Sequence, residues 1–232
     1  MIDHAQYEAL AACLAAKTAP DRYGAYLVSN LYYDTDQFDL IRASLEKPLY
    51  KEKLRLRCYG KADKDTPVFL ELKKKYQGVV YKRRIKLAYK ETKHIAARGI
   101  PQRSDSLQVS REIAYFLTQY PVTEKVFLCY DRLALTGVED KGLRLTFDTN
   151  IRFRQTELGL ENAPWGTNIL EPGKVLMEIK TPGAIPLWLS RTLSASGIFP
   201  VSFSKYGTCY SEFMRQDSGQ EPRRERQVMA SA

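Results

Sequence analysis

The chain has 232 residues, of which 44% are hydrophobic, and its 36 Lys and Arg against 27 Asp and Glu give a net charge of +9. The hydrophobic fraction and the charged fraction of 27% are ordinary, which excludes disordered and collagen-like chains. At this length one large or two small domains can bury a core without disulfide or metal support. The excess of positive charge favours a polyanionic partner, which can be nucleic acid, a membrane surface or a phosphate ester.

The first half of the chain predicts two helices and four strands. Good helix formers fill residues 5–17, and Asp34 is placed to cap the N-terminus of a short helix predicted over residues 38–45. Turn-forming residues such as Gln77 and Gly78 separate the later strands, which favours an antiparallel meander. The predicted strands cover residues 26–33, 51–59, 68–74 and 79–87.

The second half predicts two further helices and three further strands. The helices cover residues 110–120 and 185–196, and the second has a proline in its first turn and a glycine at its end. The strands cover residues 125–135, 143–154 and 175–180. Residues 216–232 have almost no apolar content, so we expect a disordered tail after one α+β domain over residues 1–215.

Cysteines and apolar segments predict the cellular location. Four cysteines lie far apart with no CxxC pair, and two histidines cannot form a His-rich metal site. No segment has the roughly 18 apolar residues of a membrane span, and no basic segment precedes the apolar residues near the N-terminus. We therefore expect a cytoplasmic location, no signal peptide and no transmembrane segment.

Charged and apolar side chains alternate along six of the predicted strands. Because successive side chains of a strand point to opposite faces of the sheet, each strand has one apolar and one charged face. Arg55 and Arg57 share a face, for example, whereas Leu54 and Leu56 take the other. The charged faces carry Lys51, Lys53, Arg55, Arg57, Tyr59, Glu71, Lys73, Lys82, Arg84, Lys86, Tyr130, Arg132, Arg144, Thr146, Asp148, Glu178 and Lys180.

The charged face is either a solvent-exposed surface or the lining of a cavity, and in a single strand the solvent-exposed surface is the simpler explanation. Six such strands would place like charges side by side, which is unfavourable unless an anion lies between them. If the sheet closes into a barrel with this face inward and helices outside, the basic tunnel can bind a chain of phosphates. Isolated carboxylates in the tunnel would then hold a metal ion, and oxygen ligands favour Mg²⁺ or Mn²⁺.

Eight short blocks of the sequence resemble, in order, the VTC domain, the polyphosphate polymerase domain of the vacuolar transporter chaperone complex and its bacterial relatives. The blocks are LYYDT (31–35), KLRLRCYG (53–60), FLELKKK (69–75), VYKRRIKL (80–87), YDRLAL (130–135), LRLTFDTNI (143–151), LMEIKTPGAIPLWL (176–189) and FSKY (203–206). The resemblance implies an antiparallel β-barrel tunnel of the triphosphate tunnel (CYTH-like) superfamily with flanking helices. It also implies transfer of the γ-phosphate of ATP to a growing polyphosphate chain, with Mn²⁺ or Mg²⁺.

The resemblance further implies roles for individual residues. The implied catalytic cations are Arg55, Arg57, Lys73, Lys82, Arg132 and Arg144. The phosphate-binding candidates are Tyr130, Ser204 and Lys205 from the family blocks, with Lys53, Arg84 and Lys180 added from the charged face. Glu178 matches the metal-binding glutamate of the family, and Glu71 is either a second metal ligand or a charge partner of Lys73. Asp148 is a candidate to orient Arg144.

The sequence departs from the family pattern at two places. Family members begin with a strand that carries an acidic and basic pair just before the first helix, whereas Met1 lies at the start of that helix. We therefore expect the first strand to be missing, which would leave the tunnel open or inactive. Ser202 stands where eukaryotic members carry a lysine, and this removes one possible contact to a distal phosphate.

Three other functions compete with polymerisation: a tunnel triphosphatase, a non-catalytic module that binds polyphosphate or an inositol phosphate, and RNA binding. The ExExK motif usual in the triphosphatases is absent from the sequence, which favours transfer or a lost activity. The strands lack the alternating aromatic residues that base stacking needs, so we expect no nucleic-acid partner. The expected partners are ATP, polyphosphate and a membrane protein for any export of the product.

Overall fold

A computed structural model describes residues 1–93, 95–100 and 106–215 of the protein. The predicted disordered tail over residues 216–232 lies outside the described residues. Within them, no helix has the length and apolar character needed to cross a membrane.

In the part of the chain that the structure describes, eight antiparallel strands form one sheet, in agreement with the predicted fold class. They are β1 (Thr18–Asp34), β2 (Tyr50–Tyr59), β3 (Pro67–Tyr76), β4 (Val79–Ala88), β5 (Thr123–Gly137), β6 (Arg144–Arg154), β7 (Thr167–Asn168) and β8 (Leu176–Lys180). Their order is β4-β3-β2-β1-β5-β6, and both β7 and β8 pair with the outer edge of β6. The hairpins β2–β3 and β3–β4 confirm the predicted meander.

The sheet curves into an open tunnel rather than a closed barrel. No backbone pairing joins β4 to β8 among the described residues. The charge of Lys82 on β4 nevertheless acts across this gap, because it contributes to lowering the pKa of Lys180 on β8. The family's first strand, which the sequence analysis expects to be missing, would come just before the first helix. At that place Ile2 makes a single antiparallel bridge with Val175.

Within the described residues, six α-helices lie around the sheet. They are α1 (His4–Ala15), α2 (Asp39–Leu45), α3 (Ile95–Arg98), α4 (Leu107–Gln119), α5 (Leu187–Ala195) and α6 (Lys205–Thr208). A 3₁₀ turn (Tyr89–Thr92) follows β4, and a π-helical turn (Cys209–Met214) follows α6. The predicted helices are confirmed with ends that differ by at most three residues, as is usual for helix termini.

The start of β1 differs from the prediction, which began the strand at Tyr26. The pairing of β1 with β5 already begins at Thr18 and shifts its register between Pro20 and Ala25. Within this bulge Gly24 adopts a positive φ of 61°. A bulge interrupts the two-residue alternation of side chains, which is why the sequence pattern missed the first part of the strand.

The apolar faces of the strands point outward and pack under helices. Leu54 and Leu70 are fully buried in one cluster with Phe116 of α4, and Leu145 packs with Leu189 of α5. Burial of each leucine contributes about 1.5–3 kcal/mol. The charged face is therefore the inner, concave face of the sheet.

Asp34 anchors two helices on part of this inner face. Its carboxylate accepts hydrogen bonds from the backbone N–H groups of Leu40 (2.9 Å) and Ile41 (3.1 Å), as predicted for the cap of α2. It also accepts one from the hydroxyl of Tyr206 in α6 at 2.9 Å. Because Lys205 precedes Tyr206, this anchor holds the Lys205 ammonium over the inner face.

Candidate active site

Four charged side chains from β2, β3 and β4 meet in what we call the Glu71 cluster. Arg55 donates to the Glu71 carboxylate through Nε at 2.9 Å and Nη2 at 2.8 Å, and Lys82 Nζ lies 2.7 Å from it. Arg57 Nη1 is 4.0 Å away. Burial alone would raise the pKa of Glu71, but the surrounding Arg55, Arg57 and Lys82 lower it to about 2. Glu71 is therefore a buried anion that brings three cations together.

Neutral side chains of β1 and β5 fix the two arginines. Arg55 donates to the hydroxyl of Tyr32 at 3.0 Å, and Arg57 donates to the amide oxygen of Asn30 at 2.8 Å and to the hydroxyl of Tyr130 at 3.2 Å. Held on several sides, the guanidinium groups are oriented before any ligand arrives. Such preorganisation lowers the entropic cost of binding a phosphate.

A second group of charges, the Asp148 cluster, joins β5, β6, β8 and α6. Arg132 forms a bidentate pair with Asp148 at 2.6 and 2.7 Å, and Lys205 Nζ lies 2.7 Å from Asp148 and 2.9 Å from Glu178. Asp148 therefore orients Arg132 and Lys205. It does not orient Arg144, because Arg132 stands directly opposite Asp148 in the β5–β6 register and Arg144 is four residues away along β6.

Glu178 is the carboxylate of this cluster that faces the cavity. Burial would raise its pKa, but Lys205, Arg132 and Lys180 outweigh burial and lower the pKa to about 2. Its side chain is still 38% exposed, and Oε2 has only a long 4.0 Å contact to Arg132. Glu178 is thus ionised, and its Oε2 atom is accessible to a metal ion or another group that enters the cavity.

The cavity beside these clusters has a volume of about 760 Å³. This volume lies within the range of small-molecule binding sites. One wall is strongly basic and belongs to β2 and β3, and the opposite wall carries Glu178, Ser204 and Lys205. Apolar residues of the segment 198–203 close one side.

The basic wall contains four lysines in two directly opposed pairs, which we call the lysine ladder. Lys53 faces Lys73, and Lys51 faces Lys75, across the β2–β3 register. No carboxylate forms a salt bridge with these four lysines within the part of the chain that the structure describes. Burial, followed by the charges of Lys51 and Lys73, lowers the pKa of Lys53 to about 8. Like charges held opposite each other in this way are stabilised by a bound anion.

Three predicted phosphate ligands lie at the other end of the inner face. Arg84 is exposed, and its guanidinium lies 4.9 Å from the ring centre of Phe69. Arg144 pairs with Asp21 at 3.1 Å, and Lys180 is exposed at the end of β8. The structure therefore brings Arg55, Arg57, Lys82, Arg132, Tyr130 and Lys205 into the centre, Lys53, Lys73 and Ser204 to one end, and Arg84, Arg144 and Lys180 to the other.

Sequence reasoning missed Asn30 and Tyr32, which hold the central arginines. Both lie on β1, in the block YLVSNLYY (26–33), at even-numbered positions that share the inner face. The alternation of side chains that sorted the charged strands also places both residues on one face. They were missed because they carry no charge and the block is typical of an apolar strand.

The two predicted metal ligands differ in their fit to Mg²⁺ or Mn²⁺. These ions are commonly held by one or two carboxylates together with phosphate oxygens of the substrate. Glu178, exposed to the cavity, fits that role. Glu71 does not, because its side chain is 1% exposed and is surrounded by Arg55 and Lys82. Glu71 is therefore a charge partner, which was one of its two predicted roles. Its partners are Arg55 and Lys82 rather than the predicted Lys73, which faces Lys53.

Comparison with known proteins gives a family and a fold. The sequence model of the VTC domain family matches residues 1–214. A proposed adenylate cyclase of Bacillus halodurans has a crystal structure that matches with a TM-score of 0.50 at 15% identity, over 88% of this chain and 90% of that chain. A proposed adenylyl cyclase of Hippeastrum with a dominant triphosphatase activity matches with a TM-score of 0.46 at 20% identity, over 95% and 93%. No curated protein matches the sequence.

Proposed function

Because the chain belongs to the VTC domain family, we propose that it is a polyphosphate polymerase that transfers the γ-phosphate of ATP to a polyphosphate chain. The observation that supports this function is the continuation of cations beyond the central clusters. From Arg55 the ladder extends four residues along β2 to Lys51, which is about 13 Å. A triphosphatase needs cations only around one triphosphate, whereas a polymerase must also hold the chain that it extends.

In the proposed reaction, a terminal oxygen of the polyphosphate chain attacks the γ-phosphorus of ATP, and the bond from that phosphorus to the β-bridging oxygen breaks. ADP leaves, and the chain is longer by one phosphate. The attacking oxygen is already ionised near neutral pH, so the site needs no strong general base.

The protein contributes mainly position and charge. Arg55, Arg57 and Arg132 are fixed by neighbouring side chains, and they would orient the triphosphate and stabilise the charge that spreads over the transferred group. Lys205 would bind the same oxygens from α6. Glu178 would hold a Mn²⁺ or Mg²⁺ ion, which when bound neutralises charge on the leaving diphosphate.

Incubation with ATP and Mn²⁺, followed by separation of the products on a gel that resolves polyphosphate, tests the proposal. We expect a ladder of polymers from the wild type and none from Arg57→Ala. The matched control is Arg152→Ala, which removes a half-buried arginine whose partner Asp131 lies on the outer face. Free phosphate without polymer would instead indicate a triphosphatase. Tight polyphosphate binding without turnover would indicate a non-catalytic module.

The lysine ladder predicts that polyphosphate binding weakens in alkali. Since the pKa of Lys53 is about 8, this lysine loses its proton as the pH rises from 7 to 9. A bound polyanion favours the protonated form, so we expect the affinity to fall by about tenfold over this interval. Calorimetric titration with polyphosphate at several pH values measures the effect.

Lys53→Arg separates this titration from that of the other groups. An arginine stays charged at pH 9, so the variant should lose most of the pH dependence. Lys90→Arg is the matched control, because Lys90 pairs with Asp65 on the surface. Equal pH dependence in the wild type and in Lys53→Arg would exclude Lys53 as the titrating group.

A further inference from the structure

Three aromatic side chains from three strands meet at the end of the inner face opposite the lysine ladder. The ring centres of Tyr26 and Tyr59 are 5.8 Å apart, and those of Tyr59 and Phe69 are also 5.8 Å apart. Both contacts are edge-to-face, with interplanar angles of 73° and 69°. We call these three residues the aromatic row, and Tyr23 extends it with a further edge contact to Tyr26 at 6.0 Å.

The aromatic row adjoins the cations of the central site. Phe69 stands directly opposite Arg57 in the β2–β3 register, and Tyr59 follows Arg57 on the same face of β2. Tyr26 stands directly opposite Arg132 in the β1–β5 register. Each ring is therefore one neighbour away from a guanidinium group that the proposed function assigns to the triphosphate.

The row remains accessible to a ligand. Tyr59 is 44% exposed and Tyr23 is 61% exposed, although both lie beside other aromatic rings. Arg84 lies over Phe69 and Arg144 donates to the Tyr26 hydroxyl at 3.4 Å, so cations surround the rings. The exposed rings can stack on a flat heterocycle, and the cations beside them can bind phosphates attached to that heterocycle.

We propose that the aromatic row is the nucleobase site of the tunnel, where the base of a nucleoside triphosphate stacks against Tyr59. The inference rests on the proposed function, because it takes ATP as the phosphate donor. A base held there would direct its triphosphate along the inner face toward Arg57 and Arg132. At the opposite end the rings of Tyr32 and Tyr206 stack on each other and are buried. Four lysines line the inner face there, so that end is suited to a chain of phosphates without bases.

This arrangement gives the tunnel a direction. The order along the inner face of β2 is Tyr59, Arg57, Arg55, Lys53 and Lys51. A nucleotide bound at the aromatic row and a polyphosphate chain bound at the lysine ladder would place their terminal phosphates between Arg57 and Arg55. Donor and acceptor then approach from opposite ends, which is what in-line transfer requires.

Comparison of ATP with tripolyphosphate tests the nucleobase site, because tripolyphosphate carries the same phosphates without a base. Binding of both ligands is measured by calorimetry in EDTA, so that no metal-dependent turnover occurs. We expect Tyr59→Ala to weaken ATP binding about tenfold, the loss of one base–aromatic stack, and to change tripolyphosphate binding less than twofold. Tyr59→Phe keeps the ring and should bind ATP like the wild type.

The matched control is Tyr76→Ala, which removes a tyrosine of similar exposure (48%) at the far end of β3. Equal weakening of both ligands by Tyr59→Ala would assign Tyr59 a structural role and overturn the nucleobase site. Unchanged ATP binding, together with tight tripolyphosphate binding by the wild type, would overturn the nucleobase site and leave the phosphate site intact. If the wild type bound neither ligand, the proposed function would fail as well.

Discussion

Glu178→Gln is expected to lower Mn²⁺-dependent turnover of ATP at least a hundredfold while polyphosphate binding persists. Glu178 is the one carboxylate that lines the cavity within the described residues. A metal ion held there would stabilise transition-state charge by several kcal/mol, and a hundredfold loss corresponds to about 2.7 kcal/mol. Glutamine has the same shape but is a weaker ligand. Because the substitution removes a negative charge from a basic cavity, polyphosphate should bind at least as tightly as before.

The rate measured against Mn²⁺ concentration distinguishes a metal ligand from a structural residue. A metal ligand predicts that the variant needs far more Mn²⁺ or no longer responds to it. Glu112→Gln is the matched control, since Glu112 also pairs with two cations, Lys74 and Arg83, but on the outer face. Wild-type turnover and an unchanged Mn²⁺ response in Glu178→Gln would refute the metal role.

Glu71→Gln is expected to lower the free energy of unfolding by about 3 kcal/mol in phosphate-free buffer. The substitution leaves Arg55, Arg57 and Lys82 close together with no carboxylate between them, and breaking a buried ion pair from one side commonly costs 3–5 kcal/mol. Urea denaturation measures the loss. Glu112→Gln again serves as the control, because its more exposed pairs should contribute less than about 1 kcal/mol.

The same variant should change the acid sensitivity of the fold. The pKa of Glu71 is lowered from its ordinary value of 4.5 to about 2, so its ion pairs stabilise the fold fully above pH 4.5. That stabilisation is lost as the pH falls from about 4.5 to about 2. Glu71→Gln lacks this contribution, and its stability should therefore depend less on pH in that interval.

Added tripolyphosphate gives the Glu71 experiment a functional readout. If the Glu71 cluster binds phosphate, the anion should replace the missing negative charge and stabilise Glu71→Gln more than the wild type. A variant as stable as the wild type in phosphate-free buffer would contradict the assignment of Glu71 as the anion that holds the cluster together.

The alternation of side chains determined much of this protein from sequence alone. In a strand the direction of a side chain depends only on its position, so Arg55, Arg57, Arg132 and Glu178 could each be placed on the charged face of their own strand without knowledge of the fold. The same local rule put Leu54 and Leu70 on the other face, and the cap formed by Asp34 also depends only on nearby residues. These properties are local, and a single sequence is enough to read them.

Which side chains pair across neighbouring strands depends on the tertiary structure. Glu71 pairs with Arg55 and Lys82 rather than with Lys73, and Asp148 pairs with Arg132 rather than with Arg144. The aromatic row shows the same dependence: Tyr26, Tyr59 and Phe69 are isolated in the sequence and meet only across three strands. Register is set by the pairing of distant segments and by bulges such as the one at Gly24. It therefore appears only when the sheet has formed, because alternation along one strand says nothing about which residue of its neighbour stands opposite.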